Sequence, residues 1–560
     1  MGEAKKDVPD FIFHEYWVLF IAGIGGLLYG IDIGIISAAL LFLDKTIDLN
    51  VHQTSAIVAA VMGGSMISSL AAGFFADWVG RKKMIILSGL LFVASVGLIV
   101  ISHAFVPLLL GRLLQGLSGG VIAVVIPLYL AECLRANVRG RGSAVFQFML
   151  TFGIICAAAV GWFYTRQAEA AISAAAGNTA LIRAAQNHAW RSMFLSVIYP
   201  GLVFFAGSFF LSESPRWLFC KHRFKEAHLA LQKTSSEEEA ALEMQQMESL
   251  ALVSGQQIGA RFRAGSLLRR KYVVPFVLAC LILACTQATG VNSILAYLVV
   301  ILKQAGMSAG RATEGDLAVK ILNCMVTLFA WILIDRKGRK FLLTLGTSGI
   351  IIALLCAAFF FHTFESQRID MKAQVQAAVH WNQLALSSSA VRQWTKHRTR
   401  PMALTILYSY GKGDRMTTMA GTENDALMLQ PNQQTGSNRL VIEHAFLSPV
   451  PDAKTGWLIM LCLALFIACY AVGPGVVVWL TLSELMPTQI RSAGMGIALL
   501  LNQGVSTLIA GLFLPVVSVH GYYVIFLFWA ACTVVYLITA VFYLPETKGK
   551  TLEEIERIFE

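Results

Sequence analysis

The chain has 560 residues, of which 56% are hydrophobic and only 14% are charged, and its formal net charge is +11. Soluble domains carry about 25% charged residues, so this composition excludes an ordinary soluble protein and indicates one embedded in a membrane. The positive charge does not indicate nucleic-acid binding, because the lysines and arginines gather in alternate short loops between apolar stretches.

Twelve apolar stretches approach the length of about 20 residues that an α-helix needs to cross a bilayer. They cover residues 15–43, 54–75, 84–102, 106–130, 143–164, 192–211, 273–302, 315–334, 341–362, 456–480, 489–514 and 522–544. The sequence therefore predicts an all-α membrane protein with twelve transmembrane helices. The basic loops predict that they and both termini are cytoplasmic. We expect a multi-pass protein of the plasma membrane, or of the inner membrane in a bacterium.

The first apolar stretch contains the segment "GGLLYGIDIG" at 25–34, which places Asp32 within an otherwise apolar run. A carboxylate at the centre of a membrane-spanning helix costs roughly 2.5–3.5 kcal/mol on the scale derived from insertion experiments. Such a residue usually faces the protein interior or water, and it is by default a candidate functional residue.

Two motifs occur twice, with an offset of six apolar stretches. "DWVGRKKMIILSG" follows the second stretch and "DRKGRKFLLTLG" the eighth, while "AECLRANVR" follows the fourth and "SELMPTQIR" the tenth. Two six-helix halves in the same orientation are typical of a transporter with its binding site between them. The charged residues of these motifs are predicted to pair when the cytoplasmic side is closed and to separate when it opens; alternatively, they are solvated topology signals. They are Asp77, Arg81, Glu132, Arg139, Asp335, Arg339, Glu484 and Arg491.

The apolar stretches divide the chain into predicted domains. A first six-helix bundle covers 1–212 and a second covers 272–544. A charged, helix-prone linker at 213–271 joins them on the cytoplasmic side, and 545–560 form a cytoplasmic tail.

Two segments are predicted to lie outside the membrane on the external side. Residues 163–190 are rich in alanine and precede the sixth stretch, where we expect an external loop. Residues 363–455 form a polar insert between the ninth and tenth stretches. A loop of that size is either a functional lid or a partly disordered segment.

Several motifs occur in the order and spacing of a known family: "GGLLYGIDIGIISAAL", "GRLLQGLSGG", "LSESPRWL", "ATGVN", "DRKGRK" and "LPETKGKTLEEIE". Over nearly its whole length, apart from the two external segments, the chain resembles the sugar porters of the major facilitator superfamily. The resemblance implies the major facilitator fold and transport by alternating access. We expect no cofactor and no enzymatic activity, because the sequence has no metal-ligand cluster, nucleophile elbow or phosphate-binding loop.

The resemblance also implies a set of substrate-binding residues inside the membrane. Neutral amides both donate and accept hydrogen bonds, so several can surround a polyhydroxylated ring without a charge, and a tryptophan offers a flat apolar face. As an alternative, a single Asn or Gln in an apolar stretch joins two helices. The matching positions are Tyr29, Gln147, Thr286, Gln287, Asn292, Asn323, Trp479 and Asn502, and Tyr297 matches a gate residue.

The chain departs from the family pattern at several of these positions. Thr286 replaces a glutamine, Ala296 replaces a gate tyrosine, and Gln503 replaces a tryptophan often found beside Asn502. We therefore expect a remodelled pocket and do not assume glucose as the substrate.

Lys320 is a further departure, because the family tends to have glycine at this position. It lies within the eighth apolar stretch, one helical turn before Asn323. A lysine that faces the cavity would attract an anion such as a sugar acid. The alternative is a lysine whose side chain extends to the external surface.

Asp32 matches the first-helix aspartate of the proton-coupled sugar porters, and Arg112 is the matching arginine. Burial favours the neutral acid, whereas a nearby cation favours the ionised carboxylate. Both influences change between the outward- and inward-facing states, so the affinity for a proton can change with them. The alternative is a static buried pair, which is weak evidence for stability.

We therefore predict a transporter that couples the uptake of a monosaccharide or related polyol to protons and that functions as a monomer. Its partners are the small-molecule substrate, protons and the lipid bilayer, with no nucleic acid. Three alternatives stay open. They are a passive facilitator in which Asp32 is only structural, a carrier of sugar acids, and a nutrient receptor that has this fold but no transport activity.

Overall fold

Helices account for the membrane part of the molecule. The computed structural model describes residues 10–134, 136–233, 237–257, 270–386, 394, 402–411, 413–420, 427–429, 439–486, 491–546 and 554. Twelve helical segments in this part of the chain are long and apolar enough to cross a membrane. They confirm the predicted α-helical membrane protein with twelve transmembrane helices.

The first six spans are built from eight helices. These are α1 (Asp10–Gly34), α2 (Ile36–Thr46), α3 (Val51–Val79), α4 (Arg81–Ile101), α5 (Phe105–Cys133), α6 (Ala136–Ala174), α7 (Thr179–Ser196) and α8 (Ile198–Ser208). The first span consists of α1 and α2, which meet at Ile35 with helical backbone angles, and the sixth consists of α7 and α8. The prediction of a loop over 163–190 is wrong, because α6 and α7 cover most of that segment. Alanine is the strongest helix former, so a low hydropathy there does not prevent a helix.

The linker and the last six spans are also helical. The linker contains α9 (Pro215–Cys220), α10 (Phe224–Gln232) and α11 (Glu237–Gln257). Three spans precede the insert: α12 (Arg270–Ala288) together with α13 (Val291–Gln304), then α14 (Ala309–Lys337), then α15 (Arg339–Glu365). Three spans follow it: α17 (Ala453–Val472) together with α18 (Pro474–Leu485), then α19 (Arg491–His520), then α20 (Tyr522–Ile538). A π-helix (Thr539–Tyr543) continues α20.

The insert between α15 and α17 is folded where the structure describes it. It contains β1 (Ile369–Asp370), α16 (Lys372–Ala377), β2 (Val379–His380), β3 (Gln383–Leu386), β4 (Met402–Ser409), β5 (Asp414–Ala420), β6 (Leu427–Leu429) and β7 (Val441–Pro449). The strands form an antiparallel sheet in the order β1-β7-β4-β5 and a second sheet in the order β2-β3-β6.

The larger sheet of the insert buries one face. Leu404 and Ile406 of β4 point to the same side because side chains alternate along a strand, and they are buried with Leu447 of β7. The insert also contacts the first half of the molecule, because Arg415 of β5 forms an ion pair with Asp48, N–O distance 2.8 Å.

The helical bundle has two sides, which we name after the segments attached to them. The insert side carries α16 and strands β1 to β7, and the linker side carries α9 to α11. The first and last six spans contact each other mainly through α2 with α13, α6 with α14 and α3 with α19. The candidate site lies among these helices.

Candidate functional site

Asp32 is a buried carboxylate that forms no well-aligned hydrogen bond in the described part of the chain, although the side chain of Gln115 lies close to it. Asp32 lies near the end of α1 and is 1% exposed. Buried polar atoms are almost always paired, so each exception calls for an explanation. Gly119 of α5 makes room for this group: a Cβ there would lie 3.5 Å from Asp32 Oδ2 and 3.2 Å from the ring of Tyr29.

Arg112 lies in the same buried region on α5. It is 1% exposed and close enough to Asp32 to interact with it electrostatically. Its Nη1 nevertheless donates a hydrogen bond to Gln115 Oε1 at 2.6 Å, and its guanidinium lies 5.6 Å from the ring centre of Phe194. In this conformation the carboxylate and the guanidinium are therefore neighbours but not a hydrogen-bonded pair.

Tyr29 connects this region to the second half of the molecule. It precedes Asp32 by one helical turn, and its hydroxyl lies near the side chains of Ser65 on α3 and Gln503 on α19. Gln503 is the neighbour of Asn502 in the chain. Tyr29 thus lies between the carboxylate of the first half and Gln503 of the second.

A network of neutral side chains links α12, α13 and α19. Gln287 Nε2 donates to Asn502 Oδ1 at 3.2 Å, and Asn292 Nδ2 donates to Gln287 Oε1 at 2.9 Å and to Ser506 Oγ at 2.8 Å. Asn502 Nδ2 in turn donates to the carbonyl of Leu283 at 3.2 Å. Three of the predicted substrate-binding residues are thus brought together, and Ser506 joins them.

A helix break positions this network. Gly290, with φ +84°, separates α12 from α13, and its N–H donates to the carbonyl of Gln287 at 3.0 Å. Only glycine adopts this left-handed conformation without strain. Gln287 at the end of α12 and Asn292 at the start of α13 can therefore meet around the break.

The structure does not bring all the predicted substrate-binding residues into the network. The hydroxyl of Thr286 lies 2.9 Å from Tyr536 Oη and donates to the carbonyl of Ile282 at 2.8 Å, so it contacts α20 instead. Asn323 of α14 is half-buried. Trp479 lies on α18, and its side chain falls outside the described part of the chain.

Gln147 lines a cleft between α6 and α14 on the linker side. The cleft has a volume of about 250 Å³, and it is lined by Ala144, Val145, Gln147, Phe148, Thr151, Thr327, Leu328 and Trp331. The cleft ends towards the insert side at the contact of Thr151 Oγ1 with Cys324 Sγ, which lie 3.4 Å apart. The cleft therefore lies between one helix of each half, on the linker side of this contact.

On the insert side, by contrast, the same two helices are in contact. Arg166 of α6 forms an ion pair with Glu314 of α14, N–O distance 2.5 Å. One turn further along α6, Glu169 accepts a hydrogen bond from the N–H of Gly310 at 2.8 Å. The two helices are therefore in contact on the insert side and enclose a cleft nearer the linker side.

Tyr297, the predicted gate residue, packs against α19. It lies on α13, is fully buried, and stacks on Phe513 of α19 with ring centres 4.4 Å apart. Its hydroxyl donates to the carbonyl of Ala510 at 3.3 Å.

Lys320 neither faces the cleft nor reaches the surface. It is fully buried on α14 and pairs with Asp316, N–O distance 2.7 Å. Both alternatives that the sequence left open for this lysine are therefore wrong for this conformation. Asp316 supplies a counter-charge that the sequence analysis did not identify, although its spacing of four residues from Lys320 on a helix is the available signal.

The predicted gating charges of the first half form an ion cluster on the linker side. Arg81 forms two hydrogen bonds with the carboxylate of Glu132, at 2.8 and 2.9 Å, and an ion pair with Asp77 at 2.8 Å. Ser214 Oγ donates to Glu132 at 2.6 Å. Glu132 thus pairs with Arg81 of the other motif, and the side chain of Arg139 lies outside the described part of the chain.

Two carboxylates that the sequence analysis missed cap corresponding helices in the two halves. Glu213 accepts hydrogen bonds from the N–H groups of Arg81 and Lys82 at the start of α4, at 2.9 and 3.1 Å. Glu546 accepts hydrogen bonds from the N–H groups of Arg339 and Lys340 at the start of α15, at 3.0 and 3.1 Å. An anion at a helix N-terminus satisfies free N–H groups and the helix dipole.

The signal for these two caps was present in the sequence. The segments "SESP" and "PETK" follow the sixth and the twelfth apolar stretches, so each glutamate belongs to the same internal repeat as the basic loop that it caps. Among the remaining predicted gating residues, Asp335, Glu484 and Arg491 have side chains outside the described part.

The chemistry available at the candidate site is binding and proton exchange. In the described part of the chain, no group of three or more His, Cys, Asp or Glu side chains is placed to hold a metal ion. The network of amides and hydroxyls can bind a neutral polyhydroxylated molecule, and the carboxyl of Asp32 can gain or lose a proton.

Comparisons with known proteins show what the chain as a whole is similar to. A family model described as "Sugar (and other) transporter" matches residues 18–379 and 440–559. The chain is 26% identical to the glucose transporter GlcP of Staphylococcus epidermidis, over 97% of each protein. It is 27% identical to the galactose-proton symporter of Escherichia coli K12, over 100% of this chain and 97% of that one.

Among solved structures, the chain is similar to the inward-open conformation of the xylose transporter XylE from E. coli. The TM-score is 0.68 at 20% sequence identity, covering 98% of this chain and 100% of that one. At this identity the likeness shows the fold. The residues of the insert between 380 and 439 lie outside the match to the family model.

Proposed function

The chain belongs to the sugar porter family of the major facilitator superfamily, and we propose that it carries a neutral monosaccharide or polyol across the membrane together with a proton. The proposed coupling rests mainly on Asp32, a buried carboxylate that forms no well-aligned hydrogen bond with the described residues although the side chains of Arg112 and Gln115 lie close to it. The relatives named for glucose transport and for galactose-proton symport support a sugar as the substrate and a proton as the coupled ion.

The amide network is the proposed substrate site. Gln287 forms hydrogen bonds with both Asn292 and Asn502. A sugar has several hydroxyl groups that can replace these mutual bonds, each acting as donor and acceptor. Because the network has no charged member among the described residues, a neutral substrate fits it better than an anion.

Asp32 is the proposed proton carrier. A carboxylate that has left water loses the solvation of its charge, whereas a nearby cation stabilises that charge. Arg112 is near, but its Nη1 donates to Gln115. A movement that brings Arg112 to Asp32, or that admits water, changes the balance between the ionised and neutral forms. Tyr29, between Asp32 and the neighbour of Asn502, provides a physical link to the substrate site.

Transport is proposed to follow alternating access. The α6–α14 contacts on the insert side and the cleft between the same helices nearer the linker side support a conformation that is closed on the insert side and open on the linker side. We assign the linker side to the cytoplasm from the basic loops, which makes this an inward-facing state of a plasma-membrane protein that works as a monomer. In the outward-facing state the α6–α14 contacts on the insert side would separate.

The structure removes the main argument for a transporter of sugar acids. Lys320 suggested it, but the buried ion pair with Asp316 matches its charge. A passive facilitator remains the second candidate, with Asp32 as a structural residue. The two differ in one property, since only a coupled transporter concentrates its substrate when a pH gradient is applied.

The test uses the full chain in proteoliposomes with a pH gradient and a panel of labelled neutral sugars and myo-inositol. We expect the parent protein to accumulate one of them above its external concentration. Asp32→Asn should abolish accumulation but keep exchange of labelled substrate, because the amide network is unchanged. Glu226→Gln, which removes a half-exposed carboxylate from α10 in the linker, is the matched control and should behave like the parent.

Stability must be measured before the transport result is interpreted. Thermal unfolding of the purified variants shows whether Asp32→Asn is folded. A folded Asp32→Asn protein that still concentrates substrate would overturn proton coupling through this residue. A parent protein that only equilibrates substrate under every gradient would establish the passive facilitator instead.

A further inference from the structure

The buried ion pair of α14 has no explanation in the proposed transport chemistry. Asp316 and Lys320 are 1% and 0% exposed, and their N–O distance is 2.7 Å. Removing two charges from water costs free energy that the pairing recovers only in good geometry, so a buried pair is weak evidence for stability. In a membrane-spanning segment, such residues are by default functional.

Both members of the pair contact the first span. Lys320 Nζ donates a hydrogen bond to the carbonyl of Gly34 at 3.2 Å, and Ser37 Oγ donates to Asp316 Oδ1 at 3.3 Å. Ser37 Oγ also accepts a hydrogen bond from the N–H of Val299 on α13 at 3.3 Å. Three hydrogen bonds therefore join the last six spans to the first span.

These contacts are located at the junction of α1 and α2 in the first span, where Ile35 keeps helical backbone angles. Gly34 ends α1, and α2 begins at Ile36. Asp32, the proposed proton carrier, lies two residues before the carbonyl that Lys320 contacts. The ion pair is thus attached to the segment whose position determines the surroundings of Asp32.

The arrangement behaves differently from an ordinary ion pair when the halves separate. Asp316 and Lys320 are four residues apart on one helix, so they move together and the pair stays intact. The hydrogen bonds to Gly34 and Ser37, in contrast, cross from one half to the other and must break. Opening the insert side therefore exchanges these bonds for bonds to water but leaves no unpaired charge.

We propose that Asp316 and Lys320, with Gly34 and Ser37, form an insert-side latch that stabilises the inward-facing conformation and positions the segment carrying Asp32. The inference rests on the proposed alternating-access function. Lys320 is then a positioning residue, which acts on transport through the first span and does not touch the substrate.

The latch is tested by measuring the separation of the two halves on the insert side. Spin labels at Val106, which is exposed at the start of α5, and Lys454, which is exposed at the start of α17, report this distance. Labels introduced as non-natural amino acids leave the native cysteines in place. The double variant Asp316→Asn/Lys320→Met removes both charges at once and so avoids leaving one of them unpaired.

We expect the double variant to increase the ratio of long to short label distances roughly ten-fold, since hydrogen bonds to charged groups contribute more than neutral ones. Ser37→Ala, which changes no charge, should shift the ratio in the same direction by a smaller factor. The matched control is Arg223→Met/Glu226→Gln, which removes an exposed Arg–Glu pair at the start of linker helix α10 and should leave the distances unchanged.

The result that overturns the latch is an unchanged distance distribution in both the double variant and Ser37→Ala. If the double variant does not fold, Ser37→Ala alone decides, because the loss of one hydroxyl is a small change. The distance measurement requires neither a known substrate nor a proton gradient. A failure of the Asp32 transport test therefore leaves the latch result intact, and an absent latch leaves the proton coupling intact.

Discussion

Gly290→Ala tests whether the break in the seventh span positions the amide network. Gly290 has φ +84°, and a Cβ there would lie 2.3 Å from the indole of Trp529. Real Cβ atoms do not approach another atom so closely, so either the indole or the backbone must move. The substitution therefore perturbs the connection between α12 and α13 directly.

The structure gives the size of the effect. The left-handed conformation costs an alanine about 1–2 kcal/mol. The indole cannot move away easily, because Trp529 is fully buried and lies between Phe513 and Phe526, with ring centres 5.8 and 5.6 Å away. Overpacking of this kind costs about 1–3 kcal/mol. We therefore expect the free energy of unfolding to fall by about 2–5 kcal/mol.

The assay is thermal unfolding of the purified protein together with substrate binding. Gly496→Ala is the matched control, because it is also a glycine of the second half, it lies within α19, and a Cβ there would meet nothing within 4 Å. That variant should be slightly stabilised, by about 0.5–1 kcal/mol, since alanine is the better helix former. Gly290→Ala with the stability and the substrate affinity of the parent would refute the reasoning.

Two further predictions concern the substrate site and the insert. Asn502→Ala or Gln287→Ala should weaken binding of the transported substrate by about 0.5–1.5 kcal/mol in a direct binding titration, with thermal stability as the control; unchanged affinity in both would move the site elsewhere. Replacing residues 369–449 by a short Gly/Ser linker should preserve uptake, because long surface insertions are tolerated thermodynamically. The ion pair of Arg415 with Asp48 is lost in that variant, so a normal membrane level combined with lost uptake would make the insert a functional lid.

The helical part of the fold follows from the sequence because hydropathy and charge act over long stretches. Twelve apolar stretches predicted twelve spans, and the structure has a span at each. The boundaries at 163–190 differ because hydropathy measures partition into lipid, whereas helix formation by alanine continues beyond the membrane.

The folded insert shows a different limit. Met402, Leu404 and Ile406 alternate with less buried residues along β4, which is a strand pattern that was available in the sequence. Its pairing with β7, however, joins segments more than 30 residues apart. The sequence does not specify such a partner, and the insert was predicted only as a lid or a partly disordered segment.

The resemblance to the family predicted which residues form the candidate site, but only the structure shows which of them contact one another. Gln287, Asn292 and Asn502 come together, but the hydroxyl of Thr286 contacts Tyr536. Whether a helical residue points to one neighbour or another depends on a rotation of a fraction of a turn, which sequence spacing does not give. The roles of these residues in binding stay predictions.

The caps formed by Glu213 and Glu546 have a consequence for the order in which the protein is made. Glu213 follows the sixth span, so the start of α4 can be capped only after that span has left the ribosome. All six spans of the first half and its Glu213 cap are then available for folding before the second half is synthesised. The second half closes in the same way when Glu546 emerges after the twelfth span. Each glutamate therefore marks the moment in biogenesis at which a six-helix unit can reach its final stability.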